Sequence, residues 1–401
     1  MNAHAWRVTL AAALLMALVV GGRSAFGMFV GPINSASGIG LAAFSFALAL
    51  GQLAVGFAQP WVGAIADRHG AARPIVIGAL LLAMCTALPV FAPWPPAVAF
   101  AVIAGAVAGC AVASNGLLIG EVTRAVPPAR AGLAVGIVGG GTSLGLLLLG
   151  PATQWAIAHQ GWAWALLATA LLTLVAWPLA RPFRRPAGQA PARPSQPVAD
   201  VMRDRRFWRV ALSFGVCGFH VSFMALHMPG VIERCGLPPS LAGNWIALCG
   251  LGNIVGSVIV GWMLRRHDAA PLLAALYLVR AAAVLALLLL PTTPTVMLGF
   301  AVVMGASFMA TLPPTSALLA RHHGVTRLGT LMGVVMLVHQ VGGFAGIALG
   351  GWIADATGAD TGLWLIDLAL ALAAAALVWP LRQARAVVPA AGAAAAAAAR
   401  G

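Results

Sequence analysis

Arg23 stands about two-thirds of the way along an apolar run, roughly residues 8–31, in the setting Gly21-Gly22-Arg23-Ser24. A guanidinium costs about 2.5–3.5 kcal/mol at the centre of a bilayer, so it has to be kept away from lipid. Two uses fit it: a bidentate fork for a carboxylate ligand, or a snorkelling side chain that reaches the nearer interface. His339 and Gln340 fall near the middle of a second apolar run, His220 near the middle of a third, and His227 lies two turns beyond His220. A neutral imidazole can hydrogen-bond a carboxylate or take a proton near neutral pH. His339 is therefore the first candidate for ligand binding or proton coupling, followed by His220 and His227. Packing histidines bonded to a neighbouring carbonyl are the alternative at all three. Uncharged candidates are Asn115, Thr142, Ser143, Asn253, Ser307 and Thr311. Arg280 reads as half of a structural pair, with Asp367 or Glu121 as its counter-ion.

Other chemistries find no support. The five cysteines are scattered without a CxxC or a His at ligand spacing, so neither a metal site nor a disulfide framework is expected. Nothing resembles a phosphate-cradling loop or a nucleophile triad. No cofactor and no enzymatic activity are expected.

The elements that carry these residues are set by composition. Of 401 residues, 61% are hydrophobic and 8% charged, and mean hydropathy is +0.95, which excludes an ordinary soluble domain. Twelve runs near twenty residues long follow: about 8–31, 41–62, 74–92, 97–120, 131–157, 162–180, 207–231, 240–263, 271–290, 294–319, 329–353 and 362–381. Each is long enough to cross a bilayer as a helix, the form that satisfies its own backbone in lipid. The first run is too long for the apolar core of a signal peptide and is expected to remain as a span. No acidic residue stands centrally in the first, fourth, seventh or tenth run, which favours an anion over a cationic ligand.

The net charge of +14 comes from 23 arginines without a lysine, against nine acids. With the N-terminus inside, 20 of those arginines fall in inner segments, Arg234 in an outer loop, and Arg23 and Arg280 within spans. This bias predicts that both termini are cytoplasmic. The basic balance then reports topology, and no nucleic-acid partner is expected. The domain reading is a six-helix bundle over 1–180, a Pro- and Arg-rich cytoplasmic linker over 181–206, a second six-helix bundle over 207–385, and an Ala-rich tail over 386–401.

A shift of 197 residues superposes Arg130, Gly132, Gly136, Gly145 and Trp155 on Arg327, Gly329, Gly333, Gly342 and Trp352. The same shift places Phe26 on Phe223, Pro32 on Pro229 and Arg23 on His220. Two related halves joined by a basic linker are the sequence form of a parallel repeat in secondary carriers, whose ligand site lies between the halves near mid-membrane.

Between the second and third runs stands Gly63-Ala-Ile-Ala-Asp67-Arg68-His-Gly70-Ala-Ala-Arg73. It resembles the GxxxDRxGxR loop of the major facilitator superfamily. Glycines let two helix ends approach, and an Asp with nearby Arg makes a charge-assisted pair at a gate. The resemblance implies that Asp67, with Gly63, Arg68, Gly70 and Arg73, helps lock the outward-facing state. The second-half loop, Gly261 to Asp268, is a degraded copy without an Asp before its arginines. The glycine-rich fifth and eleventh runs, with Cys217-Gly-Phe-His220 and Leu226-His227-Met-Pro229 in the seventh, resemble the monocarboxylate and oxalate/formate carrier branch. Most of those glycines are expected to serve helix packing. Members of that branch carry a basic residue inside the eighth span, and 240–263 has none.

The expectation is an all-α membrane protein of twelve helices in two pseudo-symmetric six-helix bundles. It would be a monomer in the bacterial inner membrane, moving a small organic anion such as a monocarboxylate by alternating access, with a proton or counter-anion as coupling species. Arg23, His339, Gln340, His220, Asn115, Thr142 and Asn253 are the expected substrate contacts. The alternative within transport is an efflux carrier for hydrophobic or drug-like compounds. A receptor built on a carrier scaffold is the reading from another class; a large soluble domain or long tail would support it, and the sequence contains neither.

Overall fold

The computed structural model describes residues 3–127, 130–184, 201–323 and 328–382, with the side chains of residues 60, 64, 67, 68, 115, 116, 131–133 and 328–330 outside that description. Most of the linker and the Ala-rich tail also lie outside it. Among the described residues, twelve helices are long and apolar enough to cross a membrane. They are α1 (Ala3–Ser37), α2 (Leu41–His69), α3 (Ala72–Phe91), α4 (Pro95–Ala125), α5 (Ala131–Gln160) and α6 (Trp162–Leu179) in the first half. The second half holds α7 (Arg205–Arg234), α8 (Ser240–Met263), α9 (Ala269–Leu289), α10 (Pro294–His323), α11 (Leu328–Thr357) and α12 (Thr361–Leu381). Large apolar side chains such as Trp61, Phe91, Met84 and Trp164 point outward, as a lipid-facing surface requires.

Among the described residues, four of the spanning helices are broken; α6 is interrupted at Leu174 and Val175. In α1 the chain tightens into a 3₁₀ turn over Phe26–Phe29. Pro32 follows and supplies no N–H to the Met28 carbonyl. In α10 the break is Met309–Thr311, ahead of Pro313 and Pro314. In α4 it falls at Ala113 and Ser114. Pro229, the repeat mate of Pro32, leaves α7 continuous from Arg205 to Arg234.

Within each bundle the repeat is visible as helices in backbone contact. In the first, α5 lies on α1: a Cβ on Gly141 would stand 2.1 Å from the Ala13 carbonyl oxygen, and one on Gly145 2.2 Å from that of Ala17. In the second, α11 lies on α7, with Gly342 against the Gly215 carbonyl at 1.9 Å and Gly218 against that of His339 at 1.9 Å by the same measure. Small residues at these crossings let dispersion and weak polar contacts do what burial from water does in soluble proteins. The helices α8 and α10 meet the same way at Gly252, Gly256 and Gly305.

Between the bundles, α2 packs on α11 and α5 on α8. Far from the linker these pairs are closed. Ser45 fills the space that Gly351 leaves, and Gly150 and Gly243 oppose Ile246, Pro151 and Gln154. Gly27 of the broken α1 lies beneath the Ala225 and Leu226 carbonyls of α7. At mid-depth Gln52 Nε2 donates to Gln340 Oε1 at 2.6 Å. Closer to the linker the same faces part. Gly63 lies two turns beyond Gly56, and Gly136 and Gly333 lie two turns before Ser143 and Gln340. Among the described residues, none of the three has a neighbouring atom within 4 Å of where a Cβ would stand. The two bundles therefore enclose a cleft that is open at the linker end and sealed at the other.

Candidate transport cleft

Arg23 is exposed, yet it belongs to the interior of the molecule. Its guanidinium lies within electrostatic reach of the Cys110 thiol of α4. Cys110 is buried, with its Sγ 4.0 Å from the Val55 carbonyl of α2. One turn further along α1, on the same face, Gly27 closes against α7. Arg23 thus sits as an exposed residue one turn before the contact that closes the cleft.

His339 and Gln340 occupy the facing wall, on α11. His339 is half-buried, its ring centroid 5.0 Å from that of Phe214, and its Nδ1 lies 3.4 Å from Gln340 Oε1. The same oxygen receives the Gln52 amide. His339 is the repeat mate of Thr142, which is buried on α5. Gln52 escaped the sequence reading; its one signal was an amide in the middle of an apolar run, opposite nothing that sequence alone could name.

His227 and Asn253 are engaged with protein in this conformation. His227 Nε2 lies 3.0 Å from the Ile347 carbonyl, with its ring stacked on Phe223. Asn253 is buried, and its Oδ1 accepts from the Met309 N–H at the α10 break, a backbone donor that would otherwise lack a partner. Asn115 begins the second segment of α4, but its side chain lies outside the described residues, as do those of Asp67 and Arg68. Around them the loop is defined. Gly70 caps α2 at φ 82°, where a side chain would be strained, and its N–H bonds the Ala66 carbonyl at 2.8 Å. Arg73 is exposed in the first turn of α3. In the degraded copy, Asp268 caps α9 and pairs with Arg321 at 2.5 Å.

Arg280 and its partners differ from the simple pair expected. Arg280, His220 and Asp367 are all fully buried inside the second bundle. Arg280 Nε donates to Ser307 Oγ at 3.0 Å and Nη2 to the Ser307 carbonyl at 2.7 Å. That carbonyl is released by the 3₁₀ break in α10. The guanidinium is flanked by the Tyr277 and Phe308 rings, each with its centroid 5.2 Å away. Its Nη1 lies 3.4 Å from His220 Nδ1, and His220 Nε2 lies 3.1 Å from Asp367 Oδ1. Arg280 thus reaches its counter-ion through an imidazole. Glu121, the other acid considered, pairs with Arg124 at 2.7 Å.

Comparison with known proteins agrees with this architecture. The family profile of the Major Facilitator Superfamily matches residues 12–347 and, in a second match, 228–400. The chain is 25% identical over 377 residues to Monocarboxylate transporter 13 of Bos taurus, spanning 92% of this chain and 87% of that protein. It is 28% identical over 229 residues to the Oxalate:formate antiporter of Oxalobacter formigenes, spanning 55% and 53% respectively. Among solved structures, a D-xylose-proton symporter superposes with a TM-score of 0.75 at 15% identity, over 94% of this chain and 98% of that one. Two six-helix bundles around a one-sided cleft and a profile match over most of the chain give one conclusion: the protein is a multi-pass membrane transporter of the Major Facilitator Superfamily.

Proposed function

We propose that the protein is a secondary carrier of a small organic anion, a monocarboxylate, working by alternating access in the bacterial inner membrane with both termini in the cytoplasm. The observation that carries this reading is Arg23, an exposed arginine one turn before the Gly27 contact at the sealed end of the cleft, with His339 and Gln340 on the opposite bundle. A carboxylate bound by two parallel N–H donors gains charge-assisted bonds that neutral solutes do not. His339 and Gln340 complete the site from the other side, so an occupant draws both bundles together. The relatives named as a monocarboxylate transporter and an oxalate:formate antiporter support the same chemistry. With the linker cytoplasmic, the cleft is in its inward-facing state. Asp67, by the family resemblance of its loop, acts at the cytoplasmic gate when the cleft closes there. The coupling species is a proton or a counter-anion, and the carrier works as a monomer.

Reconstitution tests this. Proteoliposomes holding the purified carrier are expected to take up a labelled monocarboxylate under an inward proton gradient or against a preloaded anion. His339→Ala should lower uptake at least about tenfold, the loss of one hydrogen bond to a charged group. Uptake of lipophilic cations with no carboxylate transport under either gradient would refute the reading and favour an efflux carrier.

A further inference from the structure

The Arg280, His220 and Asp367 cluster has a second reading beyond packing. An arginine donates only, so the 3.4 Å contact with Arg280 Nη1 makes His220 Nδ1 the acceptor. The imidazole hydrogen then sits on Nε2, directed at Asp367, whose Oδ1 is 3.1 Å away and whose backbone oxygen is 3.3 Å away. Shared in this way, it gives Asp367 little. Neither carboxylate oxygen receives a well-aligned hydrogen bond among the described residues, although both are buried. Buried polar atoms in native proteins are nearly always bonded, and an exception calls for a functional account. Oδ2 is where a proton can be added without displacing any existing bond.

The cluster also connects to the cleft. Cys217, one turn before His220 on α7, lies within electrostatic reach of both Arg280 and His339. Its Sγ is 3.5 Å from Thr311 Oγ1 at the α10 break. Cys217 thus lies near both the buried Arg280 and the half-buried His339 of α11.

We propose that Asp367 is the proton-binding site that couples transport to pH, with His220 positioning it and Arg280 conveying its charge state to the cleft. The proposal rests on the organic-anion reading. When Asp367 is ionised, its charge cancels that of Arg280. One proton from water adds to Oδ2, an O–H bond forms, and no other bond changes. The cluster then carries the uncompensated charge of Arg280, which attracts an anion to the cleft beside His339. By linkage, an anion in the cleft favours the proton on Asp367 to the same degree. His220 on α7 touches the carboxyl group and Arg280 on α9 acts on it electrostatically; the other titratable groups on elements packed against α12 are Cys217 and His227 on α7, Tyr277 on α9 and His339 on α11. The broken α10 contributes the uncharged Ser307.

The test follows proton uptake with a pH indicator in weakly buffered detergent solution as pyruvate, lactate or acetate is added, alongside anion affinity as a function of pH. The wild-type protein is expected to take up protons on anion binding and to bind the anion about tenfold more tightly at low than at high pH, a typical coupling between linked sites. In Asp367→Asn, proton uptake should vanish and the affinity should become independent of pH. Because that variant leaves Arg280 buried without a counter-charge, Arg280→Gln combined with Asp367→Asn removes the pair as a unit and should also lose proton uptake. Proton uptake or a wild-type pH profile persisting in either variant would overturn the assignment. Failure of the wild-type protein to bind any of the three anions would overturn both it and the organic-anion reading, which distinguishes the two failures.

Discussion

Arg23→Ala is expected to abolish transport of the physiological anion while leaving expression and the elution profile in detergent unchanged. The expected loss is about 3 kcal/mol, the scale of hydrogen bonds to a charged group. At 1.4 kcal/mol per tenfold this is roughly a 100-fold loss of affinity. Arg23→Lys keeps the charge but not the planar fork, so it should fall between the two, with binding weakened more than tenfold. The comparison separates a bidentate carboxylate site from a site that needs only positive potential. Binding titrations at low salt measure it, and Lys behaving like Arg would reduce the role of Arg23 to a diffuse field. An Arg that merely snorkels would tolerate Ala with no loss of affinity.

Gly256→Ala is expected to be the most damaging single methyl group among the described glycines. Its Cβ would stand 1.8 Å from the Ala306 carbonyl oxygen, a backbone atom that cannot rotate aside. Overpacking usually costs about 1–3 kcal/mol, and a clash with backbone belongs at or above that upper end. The helices α8 and α10 would have to separate, which also disturbs the Asn253 to Met309 bond that secures the α10 break. Thermal unfolding in detergent should show a large drop in midpoint or a loss of folded protein. Gly299→Ala on α10 is the control: among the described residues nothing lies within 4 Å of its added methyl, so stability should be unchanged or slightly higher. Equal behaviour of the two variants would mean that the α8 and α10 contact is looser than its geometry.

Much of this architecture could be read from the residues, because lipid imposes strong rules. Spans of about twenty apolar residues, an arginine bias toward one side, and glycines that recur under a 197-residue shift predict two related bundles. The glycines at 141, 145, 218 and 342 do pack backbone to backbone, as expected of them. The partners of the buried charges were less legible. Arg280 and Asp367 were recognised as candidates for pairing, but the imidazole between them comes from a helix 60 residues before one and 147 before the other. Such proximity is tertiary and leaves no periodic trace in one sequence. Likewise Asn253 looked like a polar contact for solute, because nothing local shows that the break in α10 brings the Met309 N–H to its side chain. His227 is another case, its ring committed to the Ile347 carbonyl.

The central claim is that the cleft holds a carboxylate on Arg23, and ligand-dependent thermal stability of the purified carrier tests it most directly. A ligand at about 100 times its dissociation constant adds roughly 2.7 kcal/mol to the folded state, well within measurable range. Screened against small mono- and dicarboxylates and lipophilic cations, the wild-type protein is predicted to be stabilised by at least one carboxylate, with the shift lost in Arg23→Ala. Stabilisation by lipophilic cations alone, equal in wild type and Arg23→Ala, would contradict the account.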